Sequence, residues 1–141
     1  MDKGNINAKN QNNGSSSVLA VDDEYDIVNL IKQSLERNRQ HRVCLFIDAL
    51  EALNHFKSDS NDYHDVIISD IRMPGMNGYE FVKKAKEIDK QIKVILMSAF
   101  EINEREFHNL LPDIKVDAFL QKPFSIQQLN NVVEKTNIKI D

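Results

Sequence analysis

The stretch Val66-Ile67-Ile68-Ser69-Asp70-Ile71-Arg72-Met73-Pro74-Gly75-Met76-Asn77-Gly78 decides how this chain reads. A short apolar run ends in a carboxylate and gives way to a loop rich in Pro and Gly. Three consecutive apolar residues followed by Ser69 fit a strand covered on both faces, as parallel strands are. Asp70 then stands at the carboxyl edge of a sheet, where open α/β proteins place their chemistry. A second run, Val18-Leu19-Ala20-Val21, ends in Asp22-Asp23-Glu24. Two strands that each end in acid bring carboxylates together, and such a cluster calls for a hard cation with oxygen ligands.

Outward from these two strands the chain alternates between periods of 2 and 3.6. Ile27, Leu30, Ile31, Ser34 and Leu35 follow helical spacing after the first strand. Val43–Ile47 reads as a second strand, and Asp48 can cap a helix that turns Ala49, Ala52, Leu53 and Phe56 inward. After Asp70, Asn77 can cap a helix carrying Phe81, Val82, Ala85 and Ile88, followed by the strand Val94–Met97. A more polar helix, Glu101–Leu111, contributes Phe107, Leu110 and Leu111. The strand Ala118–Gln121 comes next, and Ser125 can cap a last helix with Ile126, Leu129, Val132 and Val133. Five strands alternating with five helices predict a doubly wound parallel α/β sheet. Right-handed crossovers leave few strand orders, among which 2-1-3-4-5 is the flavodoxin-like (βα)5 arrangement. In that order strands 1 and 3 are neighbours, so Asp22, Asp23 and Asp70 meet at the topological switch point.

Composition bounds the function. The chain has 141 residues, enough for one core, with 41% hydrophobic and 28% charged residues. Lys and Arg total 18 against 22 Asp and Glu, a net charge of −4 that does not advertise nucleic-acid or anionic-membrane binding. No run approaches the roughly 18 apolar residues of a membrane span. The segment 1–17 holds five Asn, one Gln, two Gly and three Ser, without the apolar stretch of a secretory signal. We expect residues 1–16 to be a disordered polar tail. The single cysteine, Cys44, excludes an intrachain disulfide, leaves a reducing cytoplasm as the default, and reads as a small buried hydrophobe. His41, His55, His64 and His108 lie scattered, without metal-ligand or phosphotransfer spacing, and read as ordinary histidines.

Two further polar residues follow strands: Ser98 in Met97-Ser98-Ala99 and Lys122 in Lys122-Pro123-Phe124. Both project from the edge that carries Asp70. Three acids, a hydroxyl and an ammonium at one rim form a phosphoryl-binding constellation. The acids suit Mg²⁺, Asp70 can act as a carboxylate nucleophile, and Lys122 and Ser98 can offset charge on the transferring oxygens. The bland alternative for Asp22 and Asp23, helix-capping acids near a positive dipole end, explains neither Asp70 nor Lys122. Lys122 alone would be a solvated surface charge, and Phe119 alone would be core.

At these residues the chain resembles the receiver domain of two-component response regulators. The motifs are Val21-Asp22-Asp23-Glu24, Ser69 through Gly78, Met97-Ser98-Ala99 and Lys122-Pro123-Phe124, and the resemblance covers roughly residues 17–137. It implies a receiver over residues 17–141, with no output domain and no basic recognition helix. It further implies phosphorylation of Asp70 by a sensor histidine kinase, a phosphotransfer protein or small phosphodonors, with Mg²⁺ as cofactor. Asp23 would be the direct metal ligand and Asp22 would act largely through water, with Asp70 and the Arg72 backbone carbonyl completing the set. Ser98 and Phe119 would form the switch. Ser98 moves to the phosphoryl group, Phe119 turns inward, and the surface of the fourth helix, fifth strand and fifth helix changes for a downstream protein target. Many relatives carry Thr and Tyr at these two places, so an output contact that needs the Tyr hydroxyl is absent. The family commonly has a cis peptide at this Lys-Pro.

Phe100 and Arg72 flank the site, each two residues beyond Ser98 or Asp70; Phe100 is expected to hinder water attacking the aspartyl phosphate, and Arg72 to steer donors electrostatically. Two other functions compete. A haloacid-dehalogenase-like phosphatase needs an Asp where Arg72 stands, and a phosphorylation-independent receiver-like interaction module does not need Asp70, Asp23 and Lys122.

Overall fold

The computed structural model describes residues 16–37, 41–58, 63–100 and 104–137. In chain order the elements are β1 (Ser16–Val21), α1 (Tyr25–Glu36), β2 (His41–Phe46), α2 (Ala49–Lys57), β3 (Val66–Asp70), α3 (Gly78–Ile88), β4 (Lys93–Ser98), α4 (Glu104–Leu110), β5 (Ala118–Gln121) and α5 (Ile126–Asn137). The five strands form one sheet in the order β2-β1-β3-β4-β5, and every pairing is parallel. This is the doubly wound arrangement that the alternating periods predict.

Successive strand residues face opposite sides, so each strand feeds two cores. Val18, Ala20, Val66, Ile68, Ile95 and Met97 pack with Val28, Ile31 and Leu35 of α1 and Leu129 and Val133 of α5. Leu19, Val21, Ile67, Val94 and Leu96 pack on the other side with α2, with Phe81, Val82 and Ala85 of α3, and with Phe107 of α4. The predicted caps form. Asp48 accepts from Glu51 N at 3.0 Å and Asn77 accepts from Glu80 N at 2.9 Å. Ser125 Oγ accepts from Gln128 N at 3.0 Å while Gln128 Oε1 accepts from Ser125 N at 2.8 Å, a reciprocal capping box.

Several local expectations are corrected. β1 begins at Ser16, inside the segment expected as tail, because Ser16 and Ser17 pair with His41 and Arg42 of β2. The rest of that tail, residues 1–15, lies outside the described residues, as do residues 101–103 at the expected start of the fourth helix. The second strand, expected over Val43–Ile47, runs His41–Phe46, leaving Ile47 exposed past its end, and Ile88, Leu110 and Ile126 are exposed as well. Each stands at or beyond an element terminus, where the apolar face has run past the sheet that covers it. Val28, passed over between Ile27 and Leu30, is fully buried, as is Ile31. Cys44 is half-buried rather than buried.

Candidate functional site

The carboxyl ends of β1, β3, β4 and β5 converge on one open cleft of about 220 Å³, lined by Asp23, Glu24, Asp70, Arg72, Ser98, Ala99, Phe100 and Lys122. Parallel register produces the convergence. Val21 stands beside Ser69, Asp70 beside Met97 and Ser98 beside Gln121, so residues just past each strand share one rim. Lys122 N donates to Ser98 O at 2.8 Å, which fixes the start of the loop after β5. The Lys122–Pro123 peptide that follows is cis.

Lys122 is the hub of the charge network. Its Nζ lies 2.6 Å from Asp22 Oδ2, 3.1 Å from Asp70 Oδ1 and 3.4 Å from Glu24 Oε1. The 2.6 Å contact pairs the ammonium with a fully buried carboxylate oxygen of Asp22 and lowers the cost of holding charge there. Asp22 Oδ1 accepts from Glu24 N at 2.9 Å, which holds the turn after β1. Asp22, Asp23 and Asp70 each present a carboxylate oxygen within 4.8 Å of the others. One ammonium against three clustered carboxylates leaves negative charge uncompensated, and the protonation equilibria reflect it. Burial pushes the Asp22 carboxyl up to about 6, against the opposing pull of Lys122 and the Glu24 amide. Burial raises Asp70 as well, again opposed by Lys122. Burial alone would lower Lys122, but its contacts with Asp22 and Asp70 outweigh that and hold its pKa above the ordinary lysine value.

The rise at Asp22 has a signed consequence. An acid whose folded pKa exceeds its unfolded value binds more protons when folded, so its contribution to stability is full below about pH 4 and is lost as pH rises toward 6. In metal-free buffer the melting temperature of Asp22→Asn minus that of the wild type should increase across this interval. Added Mg²⁺ should shrink the difference, because a cation binds the charged form. A pH-independent difference would contradict the assignment of the shift to Asp22.

Ser98 is buried, and its Oγ accepts from Phe100 N at 3.0 Å. Arg72 and Phe100 form a pair, with the guanidinium carbon 4.4 Å from the ring centroid, a cation–π distance. Phe119, half-buried on β5, meets Phe107 of α4 edge-on, with centroids 5.8 Å apart and planes at 79°. Tyr79 of α3 also meets Phe107, with ring centroids 5.4 Å apart.

All eight residues singled out from the sequence are thus at this end of the sheet or, for Phe119, in the strand leading to it. Sequence reasoning missed two others. Glu24 is a third partner of Lys122, and its signal was its place in the same acidic run. Gly78 starts α3 against the acceptor strand. A Cβ there would overlap Asp70 O and lie 2.8 Å from Ile71 Cα, and Gly78 N donates to Ile71 O at 2.8 Å. Gly75, with φ of +76°, supplies the left-handed residue that the turn after Pro74 requires.

A doubly wound parallel sheet with an acidic cleft at its switch point places the chain among the open α/β proteins that bind ligands at the carboxyl ends of their strands. The family follows from comparison. Residues 18–134 match the response regulator receiver domain, and the chain belongs to that family. It is 27% identical over 121 residues to sporulation initiation phosphotransferase F of Bacillus subtilis, covering 86% of this chain and 93% of that one. It is 29% identical to the alkaline phosphatase synthesis transcriptional regulatory protein PhoP of the same species, but spans only 46% of that relative's length. Among solved structures, chemotaxis protein CheY4 of Vibrio cholerae superposes with a TM-score of 0.75 at 27% identity, covering 86% of this chain and 98% of that one. The chain is therefore a phosphorelay response regulator receiver, a signalling module of a family that binds Mg²⁺ at an acidic pocket. Among the described residues, no helix is long and apolar enough to cross a membrane.

Proposed function

We propose that Asp70 is the phosphoacceptor of this receiver and that Asp22, Asp23 and Asp70, with the Arg72 backbone carbonyl, hold Mg²⁺. The observation that carries this reading is the three-carboxylate cluster tied to a single ammonium at the switch point. The donor set fits the ion. It is all oxygen and it carries excess negative charge. When bound, Mg²⁺ neutralises charge on the phosphoryl oxygens. The remaining work belongs to the chain. An Asp70 carboxylate oxygen attacks phosphorus, the new O–P bond replaces the P–N bond of a donor phosphohistidine, and the imidazole leaves with a proton from solvent. Lys122, already 3.1 Å from Asp70 Oδ1, follows the charge onto the phosphoryl group.

The output runs through Ser98 and Phe119. Ser98 Oγ exchanges its contact with Phe100 N for the phosphoryl oxygens, to which it can donate its own proton. Phe119 turns into the space released and changes its edge contact with Phe107, which carries the change to α4. The phosphoryl group shifts the population because it interacts better with that arrangement. Its source is a sensor histidine kinase or a phosphotransfer protein, and the listener is a protein partner met in the cytoplasm. Nothing favours the phosphorylation-independent module.

Incubation with phosphoramidate or acetyl phosphate tests the reading by intact mass. One phosphoryl adduct that needs Mg²⁺ and is suppressed by EDTA is expected; no adduct with any donor would overturn it. The Arg72–Phe100 pair should slow loss of the group by keeping attacking water off the cleft. Phe100→Ala is expected to shorten the phosphate half-life about fivefold, the factor given by ~1 kcal/mol of barrier. Equal half-lives would remove Phe100 from this role.

A further inference from the structure

A second cluster of ligating side chains lies away from the phosphoacceptor. Cys44 of β2, His55 in the last turn of α2 and His64 just before β3 each present a ligand atom, all within 4.8 Å of one another. The two imidazoles meet nitrogen to nitrogen, with His55 Nε2 and His64 Nε2 3.0 Å apart. His64 is buried at 4% exposure, and its other nitrogen, Nδ1, sits 3.2 Å from Ser17 Oγ of β1. The rings of Phe46 and Phe56 wall the cluster, at 5.2 Å from His55 and 6.4 Å from His64. His64 stands at the amino end of β3 and Asp70 at its carboxyl end. At ~3.3 Å per residue the two sites are about 20 Å apart. This overturns the reading of these histidines as scattered.

We propose that Cys44, His55 and His64 form a site for a borderline-soft divalent metal of the Zn²⁺ class. The donor set argues for the metal. One thiolate and two imidazoles are the ligands that Zn²⁺ takes, whereas Mg²⁺ takes oxygen. The geometry argues for the site. Tetrahedral Zn²⁺ with bonds of about 2.0–2.3 Å sets its ligand atoms roughly 3.3–3.8 Å apart, so a cluster already inside 4.8 Å needs only small side-chain shifts, with the two imidazole nitrogens opening slightly from 3.0 Å. Two facing Nε2 atoms accommodate one shared proton or one cation between them. The contact at Ser17 supplies the outer support that metal-binding histidines have. With Nδ1–H donating to Ser17 Oγ, His64 turns its Nε2 lone pair to the metal. The thiol proton of Cys44 leaves to solvent, the proton shared by the Nε2 atoms relocates to Nδ1 of its ring, and one proton is released per metal. The bound ion ties β2, α2 and the approach to β3 together.

The test uses the tag-free full chain in a thiol-free reductant, with excess Mg²⁺ to occupy the acidic cleft, and Co²⁺ as a spectroscopic probe. One Co²⁺ per chain with a thiolate-to-cobalt charge-transfer band is expected, with displacement by Zn²⁺ and a rise in melting temperature on Zn²⁺ addition. Cys44 is the sole cysteine of the sequence, so the band reports on it alone. Cys44→Ser should abolish the band. His55→Ala, a change on a half-buried helical position, should lower Zn²⁺ affinity more than about tenfold, the least that loss even of an outer-shell partner gives. No band in the wild type, half a cobalt per chain, or a band unchanged in folded His55→Ala would each overturn the site.

Discussion

Asp70→Asn leaves a folded protein that takes up no phosphoryl group from any donor. The amide keeps the shape of the side chain but lacks the nucleophilic oxygen, so the loss is complete rather than graded. The fold survives because Lys122 keeps Asp22 at 2.6 Å and Glu24 at 3.4 Å. Burial raises the Asp70 pKa, so its charge opposes folding at neutral pH, and the neutral amide should melt at or above the wild-type temperature in metal-free buffer. The Mg²⁺-dependent rise in melting temperature should shrink at the same time, because one oxygen ligand has gone. Circular dichroism and intact mass on the same samples separate these effects. Retained phosphorylation would show that another residue accepts the group.

Gly78→Ala has the second large effect, and it acts on the backbone. A methyl group at this position would overlap the carbonyl oxygen of Asp70 and crowd Ile71 Cα at 2.8 Å. Neither atom belongs to a flexible side chain, so the start of α3 or the end of β3 must move. The hydrogen bond from Gly78 N to Ile71 O, 2.8 Å long, ties the same two segments and would be strained. Overpacking of this kind costs about 1–3 kcal/mol, and here the displaced backbone carries the acceptor. Denaturant titration should show the loss, and phosphorylation by small donors should slow in the fraction that stays folded. Wild-type stability in Gly78→Ala would mean that α3 docks less closely than described.

Much of this was legible in the chain. Parallel strands covered on both faces announce themselves as apolar runs, and their carboxyl ends carry the acids, Ser98 and Lys122. The caps Asp48, Asn77 and Ser125 marked helix starts because their chemistry is local. Ser16 and Ser17 were not legible as strand. They continue the polar composition of the preceding segment, and what makes them β1 is pairing with His41 and Arg42 some 25 residues on. Gly78 was hidden for a similar reason, since only a neighbouring strand shows that a Cβ has no room. The Cys44, His55 and His64 cluster has no sequence period at all. Its members come from a strand, a helix and a connection, and tertiary packing alone unites them.

The most direct measurement locates the modified residue. The protein is phosphorylated with phosphoramidate and Mg²⁺, reduced with borohydride, which converts an aspartyl phosphate to homoserine, and then digested and sequenced by mass spectrometry. Homoserine at position 70 and nowhere else is the predicted result. Homoserine at another acid, or none in a sample that carried the adduct, would contradict Asp70 as the acceptor.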